Sequence, residues 1–217
     1  MTPRKRVAVM QPYFFPYAGY FRLFAQVDEF IIFDCVQFPR RGRVHRAQVP
    51  GAGGKVEWLT LPLAQQARAV LIRDLAFAPA ASEVFAARLA RLGWFVPGGI
   101  WGAHLAGLDG PVVDFLQTGL GLVCDALGLT TKMRRSSSLG LDAALRGQDR
   151  VIAAAQAVGA THYLNAPGGR DLYDDAAFTA AGLTLEFLPA YSGRFKHLLP
   201  ALMAGDAALI RDDILSG

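Results

Sequence analysis

The chain has 217 residues, of which 53% are hydrophobic and 18% are charged, so it can bury one sizeable core and is not a disordered protein. A formal net charge of +4 permits an anionic substrate but does not require nucleic acid. Cys35 and Cys124 have no partner at metal-ligand spacing, so neither a zinc site nor a disulfide framework is indicated.

The sequence pattern argues against a secretion signal and against a membrane span. The basic N-terminal residues are followed by an apolar run that Gln11 and Pro12 cut short. The later apolar stretch over 112–129 contains Asp114 and Asp125, which a membrane span would tolerate poorly. We therefore expect a soluble, cytoplasmic protein without a membrane partner.

Hydrophobic periodicity divides the chain into alternating strands and helices. In chain order the patterns predict strands over 6–10, 30–33, 58–63, 70–72, 131–133, 161–165 and 183–187, and helices over 19–27, 82–92, 112–127 and 148–158. The first strands are almost continuously apolar, as in a parallel sheet that is covered on both faces. We therefore predict an α/β fold with a mostly parallel sheet flanked by helices.

We expect one α/β domain over 1–217 with an insertion at about 38–110 that contains both strands and helices. The insertion begins with a basic strip that ends in glycine-rich turns and is typical of a loop or hairpin. Its helix over 82–92 has Ser82 as a candidate N-cap. The segment over 93–110, rich in glycine and tryptophan, is typical of either a mobile lid or a helix connection, and we favour the connection.

The most informative stretch is the aromatic, proline-rich turn that follows the first strand. Pro12 and Pro16 lack a backbone donor, so the chain leaves the sheet at its carboxyl edge, where open α/β sheets bind ligands. The residues that follow offer aromatic faces and polar groups at this edge: Gln11, Tyr13, Tyr17 and Tyr20. From spacing alone, a binding site and an aromatic surface turn packed on its own helix are equally favoured.

Polar residues follow the carboxyl ends of four predicted strands, at 11–20, 34–37, 136–138 and 165–169. In a parallel sheet these ends lie at one edge, so the sequence predicts an active site there. Asp34 is a candidate base or acceptor for a substrate hydroxyl, with loop capping as the alternative.

Other polar residues add candidate roles. Four arginines fit either an anion clamp or a solvated hairpin: Arg40, Arg41, Arg43 and Arg46. His45 lies in the same strip and is the best general-base candidate among the histidines. Asn165 precedes Gly168 and Gly169, whose backbone can approach an anion closely. No nucleotide-binding glycine loop or metal motif indicates a metal or a nicotinamide, and the cofactor stays unknown.

The segment over 10–21, MQPYFFPYAGYF, resembles the hallmark of the WbqC-like protein family. The resemblance covers most of the chain and continues through Asp28, 30–33, Asp34, 36–37, 59–63, 147–148, 159–166, 168–169 and 172–173. The family is associated with bacterial gene clusters for O-antigen and other surface polysaccharides. Transfer of glycine or another aminoacyl group onto an amino sugar has been suggested for it, so the resemblance implies an acyl or aminoacyl transferase.

Two positions depart from the usual pattern of that family. Cys35 stands where a second aspartate is usual, and the residues over 45–47 read His-Arg-Ala in place of Asn-Arg-Asn. These departures bear on the substrate and on the activity itself.

A weaker likeness is to nucleotidylyltransferase-type folds such as pantothenate synthetase, and it implies a HUP or Rossmann-like core. Gly19 keeps the close helix packing of that turn, whereas Tyr17 and Tyr20 stand where such enzymes have histidines. The likeness therefore predicts a fold and not adenylyl transfer.

The family resemblance and the convergent strand ends together predict a transferase for a small molecule such as a nucleotide-linked sugar, with tRNA or an acyl carrier as a potential donor. The catalytic candidates are Asp34 or His45 as proton acceptor and Asn165 as the group that stabilises an oxyanion. The substrate-binding candidates are Gln11, Tyr13, Tyr17, Gly19, Tyr20, Gln37, Arg40, Arg41, Arg46, Gly168 and Gly169. The alternatives are a non-catalytic protein that binds a nucleotide sugar or RNA such as tRNA, and a nucleotidylyltransferase-like enzyme.

Overall fold

A computed structural model describes residues 3–216 as strands and helices that largely alternate. The strands are β1 (Arg6–Met10), β2 (Glu29–Ile32), β3 (Arg46–Pro50), β4 (Val56–Thr60), β5 (Lys132–Arg135), β6 (His162–Asn165) and β7 (Thr184–Phe187). The α-helices are α1 (Ala18–Gln26), α2 (Ala81–Ala90), α3 (Gly99–Ala106), α4 (Val112–Ala126), α5 (Gly147–Ala157), α6 (Asp175–Ala180), α7 (Leu198–Met203) and α8 (Ala207–Leu215).

Five strands form one parallel sheet in the order β5-β2-β1-β6-β7. Numbered as the chain enters the sheet, this order is 3-2-1-4-5, which is the strand order of a doubly wound, Rossmann-like core. The predicted α/β fold with a mostly parallel sheet flanked by helices is confirmed. The order reverses between β1 and β6, and the carboxyl ends of these two strands therefore border the crevice where such sheets bind ligands.

Side chains alternate between two apolar cores on opposite faces of the sheet. Val7, Val9 and Ile31 pack with residues of α5 and α6 on one face. Ala8, Phe30 and Ile32 pack with α1 and α4 on the other, where the ring of Phe24 stacks on Phe30 at 3.9 Å between centroids. Burial on both faces explains why the strands are apolar at nearly every position.

The chain between β2 and β5 leaves the sheet and builds the antiparallel hairpin β3–β4 and the helices α2, α3 and α4. The expected insertion at 38–110 lies within this segment. Its status as an insertion into a single domain stays a prediction. The predicted strand over 70–72 is wrong, because Leu71 makes only an isolated bridge with Gln37 before a 3-10 turn at Ile72–Asp74.

One local expectation about the insertion, the N-cap of α2, is corrected. Helix α2 begins at Ala81, and Ala80 precedes it in the left-handed region with φ of 55°. Ser82 therefore lies inside the helix, and its Oγ accepts a hydrogen bond from the Leu108 amide at 3.2 Å. The segment over 93–110 contains α3, whose glycines at its start obscure the helical pattern in the sequence.

At the opposite, amino-terminal edge of the sheet, ion pairs connect neighbouring strands. Glu29 is buried, and its carboxylate accepts hydrogen bonds from Lys5 at 2.8 Å and from Arg134 at 2.6 Å. These contacts tie β2 to its neighbour β5 and to the residue that precedes β1. In the part of the chain from 3 to 216, no helix has the length and apolar character needed to cross a membrane.

Candidate functional site

A cleft of about 480 Å³ opens at the carboxyl ends of β1 and β6, where the strand order reverses. We call it the strand-tip cleft. Its polar and aromatic lining comprises Gln11, Tyr13, Tyr17, Tyr20, Phe33, Arg43, Asn165, Gly168, Gly169 and Tyr173. The sequence predicts that all four polar strand ends meet at one site, and two of them, 11–20 and 165–169, meet in this cavity.

The aromatic turn after β1 folds back over α1 to make one wall of the cleft. Phe15 has a φ of 39°, a left-handed conformation that is strained for a residue with a side chain. The phenol of Tyr20 donates to the Gln11 carbonyl oxygen at 2.8 Å, and the rings of Tyr13 and Tyr20 lie 5.3 Å apart. Burial raises the pKa of Tyr20 well above its usual range, so this residue is a neutral, fixed part of the wall.

Arg43 supplies the positive charge of the cleft. Its carbonyl oxygen accepts from the Phe14 amide at 3.0 Å, which fastens the loop before β3 to the aromatic turn. Its Nη2 donates to Gln48 Oε1 at 3.2 Å, and its guanidinium lies 5.5 Å from the ring centroid of Trp58. The hairpin therefore holds one cation at the mouth of the cleft.

Tyr13 stays a neutral phenol beside that cation. Burial raises its pKa, and the nearby charge of Arg43 only partly opposes this shift. At neutral pH the side chain therefore offers a hydroxyl and a flat face, and it is not a base.

Tyr17 is positioned by close packing beneath it. Its ring lies 5.6 Å from that of Tyr191, whose hydroxyl donates to Asp213 in α8. A Cβ at Gly19 would meet the rings of both tyrosines, with Tyr191 Cγ only 2.6 Å away. Gly19 is therefore buried and supports the wall without lining the cleft.

The opposite wall follows β6 and presents amide donors. Asn165 Oδ1 accepts from the Ala166 amide at 2.8 Å, which leaves its Nδ2 hydrogens as the group that it can offer. Gly169 donates its own N–H to the Ala166 carbonyl oxygen at 3.1 Å, and a Cβ at Gly169 would collide with the Asn165 side chain. At Gly168 a Cβ would meet open space. The lining of this wall therefore includes the Asn165 amide and the open backbone at Gly168, and these groups suit an oxygen that carries negative charge.

Asp34 lies at the tip of β2 but does not line this cleft. Its buried carboxylate accepts from Ser136 Oγ at 2.9 Å, from the Ser137 amide at 2.9 Å and from Ser137 Oγ at 2.6 Å. The other two polar strand ends therefore bond to each other and lock β2 to β5. The catalytic assignment of Asp34 stays a prediction, and its observed contacts are those of a positioning residue.

Cys35 occupies a polar, buried setting next to Asp34. Its sulfur lies 2.9 Å from Ser136 Oγ and accepts from Arg150 Nε at 3.2 Å. Arg150 also donates to two backbone carbonyls, those of Asp142 and Leu145. At the position where a second aspartate is usual, this chain therefore has a thiol that contacts a guanidinium.

The remaining members of the basic strip do not form one clamp. Arg46 lies over the Trp58 ring at 4.2 Å and donates to the Gly42 carbonyl oxygen at 3.1 Å. Arg40 donates to the Gln66 carbonyl oxygen at 2.6 Å, while Arg41 is exposed. Their substrate contacts stay predictions.

Gln37 and His45 also lie away from the strand-tip cleft. Gln37 donates from Nε2 to the Arg68 carbonyl oxygen at 2.9 Å. His45 faces a second cleft beside the hairpin, where burial, with a contribution from the charge of Arg46, lowers its pKa to about 4. His45 is therefore neutral at pH 7, and its role as a base stays a prediction.

The sequence pattern gives Tyr173 no role in the site, and it indicates Arg43 as one of four arginines of a candidate clamp but not among the substrate-binding candidates. Arg43 is one of four arginines in the same strip, and only the path of the hairpin distinguishes it from the others. Tyr173 follows the turn that contains Gly168 and Gly169, and its hydroxyl lies 3.3 Å from that of Tyr163. Among residues 3–216, no group of three His, Cys, Asp or Glu side chains is arranged to hold a metal ion.

The model of the WbqC-like protein family matches residues 11–90 and 108–201 of this sequence. The chain belongs to the WbqC-like family. The matched segments contain both walls of the strand-tip cleft, and the gap between them contains α3. The chain is also 28% identical over 189 residues to the uncharacterised protein Rv1507c of Mycobacterium tuberculosis, covering 80% of this chain and 78% of that protein. No solved structure gives a significant match.

Proposed function

We propose that the strand-tip cleft binds a nucleotide-linked amino sugar and that the protein transfers an acyl or aminoacyl group to the amine of that sugar in polysaccharide biosynthesis, such as that of O-antigen. The observation that carries the proposal is that a cleft of about 480 Å³ at the switch point of the sheet combines aromatic faces, one held cation and amide donors. The chain belongs to the WbqC-like family, and the association of that family with gene clusters for surface polysaccharides supports the same substrate class.

The cleft has a separate surface for each part of such a substrate. The guanidinium of Arg43 matches the phosphate oxygens in charge and in geometry. The faces of Tyr13 and Tyr17 suit a nucleobase or the apolar face of a sugar ring, while their hydroxyls bond to sugar hydroxyls. A volume of about 480 Å³ lies within the usual range for small-molecule sites.

The transfer step joins the amine nitrogen of the sugar to the carbonyl carbon of an activated donor, which is a thioester or an ester. As that C–N bond forms, the carbonyl oxygen gains negative charge, and Asn165 Nδ2 with the Gly168 N–H stabilises it. The bond from the carbonyl carbon to the sulfur or oxygen of the donor then breaks. The proton lost by the amine leaves with that thiol or alcohol.

The lining of the cleft favours electrostatic stabilisation over general-base catalysis. The described residues that line it carry phenols, amides and one guanidinium, but no carboxylate, imidazole or thiol. The amine of the substrate must therefore enter the reaction as its neutral form. The rate of transfer should consequently rise with pH until the amine of the substrate is fully deprotonated.

The test is product formation from UDP- and dTDP-linked amino sugars with acyl and aminoacyl donors, followed by mass spectrometry. In Asn165→Asp a carboxylate replaces the amide and opposes the developing oxyanion, so kcat should fall by roughly 10²–10³-fold with a smaller change in KM. Gln26→Glu makes the same chemical change at an exposed site in α1 and serves as the control. Transfer at the wild-type rate by Asn165→Asp would contradict the mechanism.

A second candidate is a non-catalytic protein that binds a nucleotide sugar. The observation that favours it is the same absence of a carboxylate or imidazole among the described residues that line the cleft. Saturable binding of a nucleotide sugar without a new amide from any thioester or ester donor would favour this candidate.

A further inference from the structure

A second cleft of about 530 Å³ lies between the base of the hairpin and α2, and it shares no lining residue with the strand-tip cleft. We call it the hairpin cleft. Its apolar floor is formed by Phe38, Leu61, Pro62, Leu63, Ala64, Ala78 and Val84. Its polar edge is formed by Arg40, His45, Thr60, Gln65, Gln66 and Arg88.

Two guanidinium groups at this edge are held in place by the backbone. Arg40 Nη2 donates to the Gln66 carbonyl oxygen at 2.6 Å, and Arg88 Nη1 donates to the Thr60 carbonyl oxygen. Each bond uses only some of the five N–H donors of an arginine, and it holds the guanidinium so that its remaining N–H groups have fixed positions. A ligand that binds here therefore meets cations whose side-chain entropy is already reduced.

The positive charge at the cleft is not neutralised by the protein. Among residues 3–216, neither Arg40 nor Arg88 lies within 4.0 Å of a carboxylate oxygen, and no aspartate or glutamate lines the cleft. His45 adds a buried ring nitrogen, Nδ1, that has no hydrogen-bond partner among the described residues, and its ring makes a T-shaped contact with that of Phe38 at 5.0 Å between centroids. Fixed, uncompensated arginines over an apolar floor select a ligand with an anionic head and an apolar tail.

We propose that the hairpin cleft is a second ligand site that binds a small amphipathic anion, with its phosphate or carboxylate on Arg40 and Arg88 and its aliphatic part on Leu61, Leu63 and Val84. The site does not depend on the transfer reaction proposed above. Because its cations are arginines and His45 is neutral at physiological pH, binding of a carboxylate such as octanoate should change little between about pH 6 and pH 9.

The test is isothermal titration calorimetry of the full chain with octyl phosphate, octanoate, inorganic phosphate and the neutral octyl glucoside. We expect octyl phosphate or octanoate to bind at least about tenfold more tightly than inorganic phosphate and octyl glucoside, since only these two combine head and tail. The ratio of octyl phosphate to octanoate affinity identifies the preferred head group. Equal affinity for all four compounds, or no binding of the two amphipathic anions, would overturn the proposal.

Two substitutions locate the bound anion. Val84→Glu places a carboxylate on an exposed part of the floor, where folding is not at risk, and should weaken binding at least about tenfold, whereas Val84→Gln should have a smaller effect. Arg88→Gln should also weaken binding about tenfold, and Arg73→Gln, at an exposed arginine outside the cleft, should not. Loss of binding in Arg43→Gln with full binding in Val84→Glu and Arg88→Gln would assign the anion to the strand-tip cleft and refute the second site.

Discussion

Asp34 has a buried carboxyl group that accepts three hydrogen bonds from Ser136 and Ser137. This carboxylate does not line the strand-tip cleft, and its role as a base stays a prediction. Its contacts instead fix the end of β5 against the end of β2.

Asp34→Asn tests this role. The amide would place an N–H group against donors from Ser136 or Ser137, so the free energy of unfolding should fall by about 2 kcal/mol, measured by urea denaturation. Asp109→Asn, at an exposed site, should change it by less than about 0.5 kcal/mol. Wild-type stability of the Asp34→Asn protein together with loss of its activity would instead make Asp34 a chemical participant.

The turn after β6 is the element in which fold and site depend on each other most directly. Gly169 leaves room for the side chain of Asn165, whereas Gly168 faces open space. Gly169 therefore leaves space for the Asn165 amide, and Gly168 leaves the backbone of the turn accessible.

Gly169→Ala should displace the Asn165 amide and lower the free energy of unfolding by about 1–3 kcal/mol. Gly168→Ala should leave stability unchanged within about 1 kcal/mol, because its Cβ meets nothing and its φ is not in the left-handed region. Urea denaturation of the two variants measures the difference. Equal effects of the two substitutions would show that Asn165 is not held by this packing.

The amino-terminal edge of the sheet gives a pH dependence to the stability of the fold. Burial alone would raise the pKa of Glu29, but hydrogen bonds and charges from Lys5 and Arg134 outweigh it and lower the pKa below its ordinary value of 4.5. The folded state therefore holds this carboxylate ionised more strongly than the unfolded chain does. Its contribution to stability is complete above about pH 4.5 and is lost as the pH falls through the lower, folded pKa.

Glu29→Gln should lower the free energy of unfolding by about 2 kcal/mol at neutral pH, since it leaves Lys5 and Arg134 without their shared carboxylate. The difference from the wild type should shrink on acidification to about pH 3, where Glu29 is protonated in the unfolded chain. Denaturation curves at several pH values measure it. A difference that is constant with pH would mean that packing, and not charge, is responsible.

Over the whole molecule, the parallel sheet is predictable from the sequence because burial on both faces makes its strands almost continuously apolar. The meeting of 11–20 with 165–169 is likewise predictable, since both follow strand ends. The direction of a side chain at a strand end cannot be predicted in this way, because it depends on the hydrogen-bond donors that the fold brings close. Asp34 turns toward the donors of Ser136 and Ser137. Likewise, spacing alone cannot separate Arg43 from the other arginines of the strip, because the path of the hairpin decides which of them reaches the cleft.

The affinity of the full chain for UDP- and dTDP-linked amino sugars tests directly whether the strand-tip cleft binds the substrate, and it is determined by isothermal titration calorimetry on the wild type, Arg43→Gln and Arg73→Gln. We predict saturable binding by the wild type, about tenfold weaker binding by Arg43→Gln, which loses the cation at the cleft, and unchanged binding by Arg73→Gln, an exposed arginine that lines neither cleft. Equal binding by all three proteins, or no binding of any such nucleotide sugar, would contradict the claim that the strand-tip cleft is the substrate site.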